Sequence, residues 1–303
     1  MSNLVSIGEC MIEMSALENG LYKKGYAGDS LNMAYYARAF LPQNVDVDYF
    51  TALGDDGESQ ALAKSIEAHG IGTDLICKLP GKAPGLYLIS LEDGERTFSY
   101  WRSTSAAKEM ARDLTHLEQS LLGDNSLFFS GISLAILEPD TREQFLDILA
   151  KAKAAGQQVI FDSNLRPALW KNRQEMADWA AKASEVSTMA LPTVPDEYVL
   201  FDEKSSEQVA ERYLRAGCRE VVVKAGPADA LVTNGIDKEW IGPAEALKPV
   251  DTTGAGDSFN GGYIAARLDG QSMADAARFA HKVAGQVIQH RGALVPDIQQ
   301  LVR

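Results

Sequence analysis

The amino-acid sequence predicts an α/β fold with a mostly parallel central sheet and helices on both of its faces. Short apolar runs rich in β-branched or aromatic residues alternate along the chain with longer segments that carry apolar residues at helical spacing. Several of the helical segments end at a glycine, as at Gly70, Gly156 and Gly217. This alternation is typical of parallel strands joined by crossover helices.

The pattern assigns most of the chain to strands or helices. The predicted strands are residues 4–7, 45–53, 127–130, 159–161, 189–191 and 221–223. The predicted helices are residues 31–40, 60–69, 141–155, 174–184, 207–216, 256–268 and 274–289. The 303 residues contain no internal repeat, low-complexity tract or long linker, so we expect a single α/β domain over residues 1–303.

Residues 84–101 depart from the alternation and predict a β-hairpin with Asp93-Gly94 at its turn. Its first strand is apolar on both faces, with Leu86 and Leu88 on one face and Tyr87, Ile89 and Leu91 on the other. A hairpin that is apolar on both faces has to be covered twice. This favours a lid over a pocket that also packs against another subunit. The alternative is an ordinary edge hairpin of the main sheet.

The overall composition excludes several classes of protein. The formal net charge of −13 argues against general nucleic-acid binding, which needs a basic face. The odd, widely spaced set Cys10, Cys77 and Cys218 predicts free thiols in a reducing cytosol. The histidines show no zinc-ligand spacing, the N-terminus lacks a signal-peptide pattern, and no apolar run approaches the ~18 residues of a transmembrane helix. We expect a cytoplasmic protein that binds neither nucleic acid nor membranes.

Residues 251–262, D-T-T-G-A-G-D-S-F-N-G-G, gather glycines, hydroxyls and acids at the start of a helical segment. A dinucleotide-binding fingerprint starting at Gly254 fails at Phe259, and a nucleophile elbow starting at Gly256 fails at Asn260. The Gly-Lys-Ser/Thr of a Walker loop occurs nowhere in the chain. What remains is Thr-Gly-Ala-Gly-Asp opening a helix.

This glycine loop can bind an anion. Gly254, Ala255 and Gly256 can turn consecutive N–H groups toward one point, and the first turn of the helix adds partial positive charge. Asp257 then lies at the rim of the anion hole, where a carboxylate is unfavourable unless it accepts a proton or faces a metal ion. Phosphoryl transfer to a hydroxyl has these requirements. The alternative is that Asp257 only complements the helix dipole.

The same loop resembles the C-terminal signature of the PfkB-type, ribokinase-like carbohydrate kinases, and the resemblance extends over essentially the whole chain. Gly8-Glu9 and residues 28–32, G-D-S-L-N, are similar to that family's first sugar-binding segment. More narrowly, the chain resembles 2-keto-3-deoxygluconate kinases in residues 84–87 (P-G-L-Y), 100–102 (Y-W-R), 130–135 (S-G-I-S-L-A), 162–170 (D-S-N-L-R-P-A-L-W) and 291–293 (R-G-A).

The resemblance implies a ribokinase-like three-layer α/β/α core with a mostly parallel central sheet. It also implies a small β-sheet lid formed from about residues 9–30 and 83–104. The implied activity is ATP-dependent phosphorylation of 2-keto-3-deoxygluconate at its terminal (C6) hydroxyl, with Mg²⁺ as cofactor. The lid would close on the substrate and exclude water. We expect a homo-oligomer and prefer a dimer formed through the lid.

The resemblance also assigns roles to matching residues. It implies that Asp257 is the catalytic base and that Gly254, Ala255 and Gly256 form the anion hole. Implied substrate-binding residues are Gly28, Asp29, Asn32, Tyr87, Tyr100, Arg102, Ile132, Arg166 and Asp257. Implied nucleotide-binding residues are Asn164, Arg166, Thr193, Lys224, Gly226, Gly254 and Gly256. The N-x-x-E pattern that the family links to magnesium is replaced by residues 193–196, T-V-P-D, so the metal ligand is left open between Asp196 and Glu197, acting through water.

Two arginines favour an acidic sugar as substrate. Arg102 and Arg166 would each offer a planar donor fork to a carboxylate or phosphate, whereas a neutral hexose needs no such pair. For Arg102 alone, a solvated hairpin charge is the alternative. Two other functions also remain open: a kinase for a neutral sugar such as fructose or ribose, and a non-catalytic sensor of sugar or nucleotide.

Overall fold

The computed structural model describes residues 3–17, 20–92, 95–244 and 247–302. Its strands are β1 (Leu4–Ile7), β2 (Met11–Ala16), β3 (Tyr22–Ala27), β4 (Val47–Phe50), β5 (Ala52–Leu53), β6 (Cys77–Lys78), β7 (Leu86–Glu92), β8 (Glu95–Trp101), β9 (Ser126–Ser130), β10 (Val159–Asp162), β11 (Met189–Ala190), β12 (Glu220–Val223), β13 (Ala230–Thr233) and β14 (Lys238–Ile241).

The helices are α1 (Asp29–Phe40), α2 (Gly57–Ala68), α3 (Leu114–Leu121), α4 (Gly131–Ala135), α5 (Pro139–Ala154), α6 (Arg173–Val186), α7 (Val194–Phe201), α8 (Ser206–Arg215), α9 (Ala255–Leu268), α10 (Met273–Val287) and α11 (Ile298–Leu301). Among the described helices, none combines the length and apolar character needed to cross a membrane.

The central sheet has the strand order β14-β13-β12-β11-β10-β9-β1-β4. It is parallel from β4 to β12, whereas at the other edge β13 pairs antiparallel with both β12 and β14. Buried strand residues alternate between two cores, as Phe128 and Phe129 show: Phe129 belongs to the core that includes residues of α5 and α8, and Phe128 belongs to the core that includes residues of α1 and α9. The predicted three-layer α/β/α core is confirmed.

Most predicted helices and strands lie where the sequence pattern placed them. The differences occur where pairing between distant segments determines which residues form a strand. The predicted strand 45–53 splits into β4 and β5, because β5 leaves the central sheet and pairs with β6 instead. The edge strands β13 and β14 and the helices α3, α4 and α7 were not predicted. The predicted free thiols are confirmed, since Cys10, Cys77 and Cys218 are all unpaired.

The hairpin β7–β8 belongs to a separate sheet of order β3-β2-β7-β8, which we call the lid. Strands β2 and β7 run parallel, and the other neighbours run antiparallel. The interpretation of residues 84–101 as an edge hairpin of the main sheet is therefore wrong. The lid strands fall within the predicted segments 9–30 and 83–104, while the turn residues Asp93 and Gly94 lie outside the described part of the chain.

The two faces of the lid differ in burial. Tyr87 and Ile89 are 8% and 5% exposed and pack with Met11, Ala27 and Ala293, so their face is directed toward the core. Leu86 and Leu88, on the opposite face, are half-buried. The first face thus lies over the core, as expected of a lid.

Candidate active site

The predicted site residues gather at the carboxyl ends of the central strands, beneath the lid. Asp29 opens α1, Asp257 lies in the first turn of α9, and Asn164 and Lys224 follow β10 and β12. Ligand sites of open α/β sheets form at this edge because the loops after parallel strands converge there.

The glycine loop leads directly into α9. Gly254 caps the helix in the left-handed conformation, with φ of 74°, and a Cβ there would lie 2.9 Å from the Ala293 carbonyl oxygen. The Ala255 N–H differs from expectation, because it donates to the Thr252 carbonyl at 3.2 Å to close the turn. Among the described residues, none accepts a hydrogen bond from the N–H of Gly254, Gly256 or Asp257. These are the open donors of the loop.

Asp257 is held beside this loop in a strongly perturbed environment. Its Oδ2 accepts a hydrogen bond of 2.8 Å from Asn32 Nδ2. Burial, with a smaller contribution from the charge of Asp29, raises the pKa of Asp257 to about 7, although the Asn32 hydrogen bond and the charge of Lys224 act in the opposite direction. A carboxylate with such a pKa can accept a proton and release it near neutral pH.

The predicted sugar-binding segment, residues 28–32, packs tightly at Gly28 against the loop between β1 and β2. A Cβ on Gly28 would lie 2.2 Å from the Glu9 carbonyl oxygen, so only glycine fits there without a backbone shift. Asp29 Oδ2 accepts hydrogen bonds from Ser130 Oγ at 2.5 Å and from Asn164 Nδ2 at 2.7 Å. These contacts fix the Asp29 carboxylate and leave its Oδ1 free of hydrogen-bond partners among the described residues.

Other predicted site residues lie nearby with less distinctive surroundings. Ile132 is half-buried in α4, whose N-terminus is capped by Ser130. Gly226 has a φ of 62°, and a Cβ there would meet nothing within 4 Å, so its left-handed backbone requires glycine while its surroundings stay open. Thr193 caps α7 and pairs with Lys224 across a parallel bridge.

A buried triad lies below the glycine loop. Lys224 Nζ donates to Asp162 Oδ1 at 3.1 Å and to Asn260 Oδ1 at 2.9 Å. Asn260 Nδ2 closes the ring by donating to Asp162 Oδ2 at 2.7 Å. Asn260 was not predicted to act in the site. Its 98-residue separation from Asp162 explains why no local pattern could indicate it.

The lid contributes aromatic and charged groups on its core-facing side. The rings of Tyr87 and Tyr100 lie 5.8 Å apart, and the Tyr87 hydroxyl donates to Glu13. Arg102 forms an ion pair with Glu9, and their side chains are only 13% and 1% exposed. The interpretation of Arg102 as a solvated hairpin charge is therefore wrong. Neither of these two pairings was predicted, because each joins segments more than 70 residues apart.

A cavity of about 770 Å³ lies between the lid and the core. Glu13, Ser15, Lys23 and Ile89 line it from the lid side. From the core side it is lined by residues 249–253, which lead into the glycine loop, and by residues 291–292. Its size suits a small polar ligand.

Arg166 and Asp196 meet where the segment after β10 approaches the start of α7. Arg166 is exposed, and its Nη1 lies 3.8 Å from Asp196 Oδ2. Asp196 Oδ2 also accepts a hydrogen bond of 3.2 Å from the Leu165 N–H. Burial raises the pKa of Asp196, while the charge of Arg166 lowers it. A guanidinium with half of its surface free can still contact an anionic ligand.

Glu197, the alternative metal-binding candidate, is engaged elsewhere. Its side chain is 0% exposed, pairs with Arg212, and accepts a 2.9 Å hydrogen bond from Tyr213. Within the described ranges, no group of three or more His, Cys, Asp or Glu side chains is arranged to hold a metal ion directly. Of the two candidates, only Asp196 lies beside another predicted site residue.

Comparison with known proteins decides the family. A family model described as pfkB family carbohydrate kinase matches residues 1–300. The chain belongs to the pfkB family of carbohydrate kinases. It is 42% identical over 301 residues to a 2-dehydro-3-deoxygluconokinase of Dickeya dadantii, with 97% of each chain covered.

Solved structures agree with this pfkB-family fold. A PfkB protein from Polaromonas sp. JS666 superposes with a TM-score of 0.86 at 26% identity, with 99% of each chain covered. A putative ribokinase II from Escherichia coli in complex with ATP and Mg²⁺ gives a TM-score of 0.85 at 22% identity, covering 100% of this chain and 99% of that one. The resemblance drawn from the glycine loop, the predicted fold class and the prediction of a kinase are confirmed. The roles of individual residues stay predictions.

Proposed function

We propose that this pfkB-family kinase transfers the terminal phosphoryl group of ATP to the C6 hydroxyl of 2-keto-3-deoxygluconate. The substrate is inferred from the 42% identical relative named 2-dehydro-3-deoxygluconokinase. The observation that carries the chemistry is Asp257, a carboxylate with a pKa of about 7 placed next to open backbone donors at a helix N-terminus.

In the proposed reaction, Asp257 removes the proton of the acceptor hydroxyl as the new O–P bond forms. The bond between the transferred phosphorus and the leaving diphosphate breaks in the same step, and the proton passes to the carboxylate. The open N–H groups of Gly254, Gly256 and Asp257 stabilise the charge on the phosphoryl oxygens. Asp29 and Asn32, opposite Asp257, would bind neighbouring hydroxyls of the substrate.

ATP would lie along the loops that follow β10, β11 and β12, where Asn164, Thr193 and Gly226 are found. The complex of the ribokinase II neighbour with ATP and Mg²⁺ supports this choice of cofactors. Mg²⁺ usually keeps several water ligands and is held by phosphates with one or two carboxylates. Asp196 fits such a water-mediated role, and the ion would neutralise phosphate charge when bound.

Recognition of the sugar acid is assigned to Arg102 and Arg166. Glu9 occupies one Nη of Arg102, so the remaining N–H groups of the guanidinium are available for the substrate carboxylate. Tyr87 and Tyr100 would cover the carbon chain when the lid closes. The alternative acceptor, a neutral sugar, has no negative group for these arginines to bind.

An ADP-release assay across a panel of sugars tests the proposal. The panel should include 2-keto-3-deoxygluconate, gluconate, fructose and ribose, and ³¹P NMR should locate the phosphate of the product. We expect the keto-deoxy acid to give by far the highest kcat/KM and a 6-phosphate. Preference for fructose or ribose would establish the neutral-sugar alternative, and ligand binding without ADP release from any sugar would indicate a sensor.

We also propose that two copies of the chain associate through their lids. The core-facing side of the lid covers the site, but its other side still exposes apolar surface. Trp101, which pairs with Leu86, is 60% exposed, and Tyr22 is 46% exposed. An exposed apolar sheet face of this kind marks an interaction surface.

A further inference from the structure

We propose that Lys224 is a catalytic residue whose ammonium donates a hydrogen bond to the phosphoryl group in transfer, with Asp162 and Asn260 as its positioning residues. The inference rests on the proposed function, because it concerns the same reaction. It adds a charged donor, from the residue that follows β12, to the backbone donors of the glycine loop.

The contacts of Lys224 leave one N–H group free. Its ammonium has three N–H donors, and the described residues accept two of them, at Asp162 Oδ1 and Asn260 Oδ1. The residue is 7% exposed. An ammonium withdrawn from water is costly unless each donor finds a partner, so the third donor indicates a ligand that is polar or anionic.

The position of Lys224 tells where that ligand would lie. A Cβ on Gly256 would be 4.0 Å from Lys224 Nζ, and no other heavy atom outside the immediate neighbours would come within that distance. The ammonium therefore lies directly beside the glycine loop, whose N–H groups at Gly254 and Gly256 are open. Backbone donors and ammonium can thus approach one anion from adjacent directions.

Asp162 and Asn260 explain how a flexible lysine is held there. Lysine carries its charge on a long stem and is positioned only when its donors are fixed. Asp162 ends β10 and Asn260 lies in α9, one turn after Asp257. Their mutual hydrogen bond of 2.7 Å ties the ammonium to the helix whose N-terminus forms the anion hole.

The proposed hydrogen bond from Lys224 transfers no proton. The oxygen of the acceptor hydroxyl forms its bond to phosphorus, the bond from phosphorus to the leaving diphosphate breaks, and Asp257 takes the proton. Lys224 stays protonated throughout and donates only a hydrogen bond. Its positive charge stabilises the transition state most strongly, because negative charge then shifts between the phosphoryl oxygens and the leaving group.

The decisive experiment removes the ammonium without leaving an unpaired buried charge. Lys224→Met alone leaves Asp162 uncompensated, so the test uses the charge-balanced double variant Asp162→Asn/Lys224→Met beside it. We expect both variants to lose kcat by ~10²–10³-fold, as for removal of one donor from an oxyanion hole, with the KM for the sugar acid changed little. If kcat of the double variant lies within about five-fold of wild type, Lys224 only balances Asp162 and the inference is overturned.

A matched control uses another ion pair, which joins β12 to α9 at the ends of these elements that lie away from Lys224 and Asn260. Arg267 of α9 pairs with Glu220 of β12 at 2.7 Å, and both side chains are largely buried. Glu220→Gln/Arg267→Met removes that ion pair away from the site. We expect its kcat to equal that of wild type even where its Tm falls. An equal loss of kcat in the control would show that any broken ion pair between these elements disturbs turnover.

The pH profile gives a second readout that a structural role would not move. The groups that face Asp257 are Asp29, Asn32 and Tyr36 from α1, Asp162 at the end of β10, and Lys224 after β12. Lys224 lowers the pKa of Asp257 and Asp162 raises it. The acid limb of kcat should therefore move to higher pH in Lys224→Met and return near the wild-type position in the double variant. An unmoved limb in Lys224→Met would contradict the placement of the ammonium.

The outcome distinguishes this inference from the proposed function. If the wild-type enzyme phosphorylates none of the sugars in the panel, the proposed function fails and the Lys224 inference fails with it. If the wild type turns over and the double variant does too, only the inference about Lys224 fails.

Discussion

At the scale of single residues, the proposed chemistry depends on one carboxylate whose surroundings disfavour its charge. Asp257 faces two further acids, and burial contributes most to raising its pKa to about 7. Lys224 and Asn32 act in the opposite direction and keep the anion accessible near neutral pH. The balance of these groups makes Asp257 suitable as a base that is regenerated in each cycle.

Asp257→Asn should keep the fold and ligand binding but lower kcat by ~10²–10⁴-fold, because the amide cannot accept the proton of the hydroxyl. Steady-state kinetics with the sugar acid measures the loss. Asp275→Asn is the matched control, since Asp275 is an acid in the first turn of α10 and is exposed. It should leave kcat unchanged. Near-wild-type turnover of Asp257→Asn would mean that Asp257 only complements the helix dipole.

The raised pKa also predicts a pH-dependent difference in stability. The folded protein holds the Asp257 proton more tightly than the unfolded chain, whose ordinary value is 3.8, so this contribution to stability is complete below pH 3.8 and is lost as pH rises through about 7. Asp257→Asn has no such loss. Its Tm relative to wild type should therefore be higher at pH 8 than at pH 4.5. A constant difference in Tm across this range would contradict the perturbed pKa.

At the scale of elements, sequence patterns predicted structures whose signal lies within a short segment. They missed structures that depend on pairing between distant segments. Strands β1, β9, β10 and β12 were predicted because buried apolar runs need no partner to be recognised. The glycine loop was predicted because its backbone requirement lies within twelve residues. The edge strand β14 was missed because it exposes most of its side chains and lacks an apolar run. The strand β13 was missed although its four residues are buried, because they form only a short run, A-L-V-T.

The pairings that tune the site could not be predicted from the sequence for a related reason. Glu9 and Arg102 are 93 residues apart, and Asn32 and Asp257 are 225 residues apart. Each partner alone is an ordinary polar residue in a loop or helix. The convergence of the strand ends brings these residues into contact, so candidate site residues could be proposed from the sequence while their hydrogen bonding could not.

The N-terminus of α9 gives a prediction at this scale. Gly254→Ala should lower both Tm and kcat, because the left-handed backbone at φ 74° disfavours a side chain and the new Cβ would approach the Ala293 carbonyl to 2.9 Å. Gly270→Ala, just past the other end of the helix at φ 88°, meets nothing within 4 Å. It should cost about 1 kcal/mol of backbone strain and leave kcat unchanged. Equal kcat values for the two variants would show that the loop's position does not matter for turnover.

At the scale of the whole molecule, we propose two roles for the lid: covering the substrate and joining two copies of the chain. In the proposed function its core-facing side, which carries Tyr87 and Tyr100, opens to admit the substrate and closes to exclude water. Gly28 and Gly85 both pack against Glu9. The segments that connect the lid strands to the core therefore lie close together at Glu9. A second copy of the chain would support the other side without blocking this motion.

The assembly through the lid predicts a mass in solution of about twice the 32.9 kDa of the chain, measurable by light scattering after size exclusion. Trp101→Lys places a charge on the outer face, where Trp101 is 60% exposed, and should convert the dimer to a monomer because an unpaired charge in an apolar interface is costly. Trp240→Lys is the matched control, since Trp240 is 45% exposed on β14, at the edge of the central sheet. That variant should stay dimeric. A monomeric wild type, or a dimer that resists Trp101→Lys but dissociates with Trp240→Lys, would place the interface elsewhere.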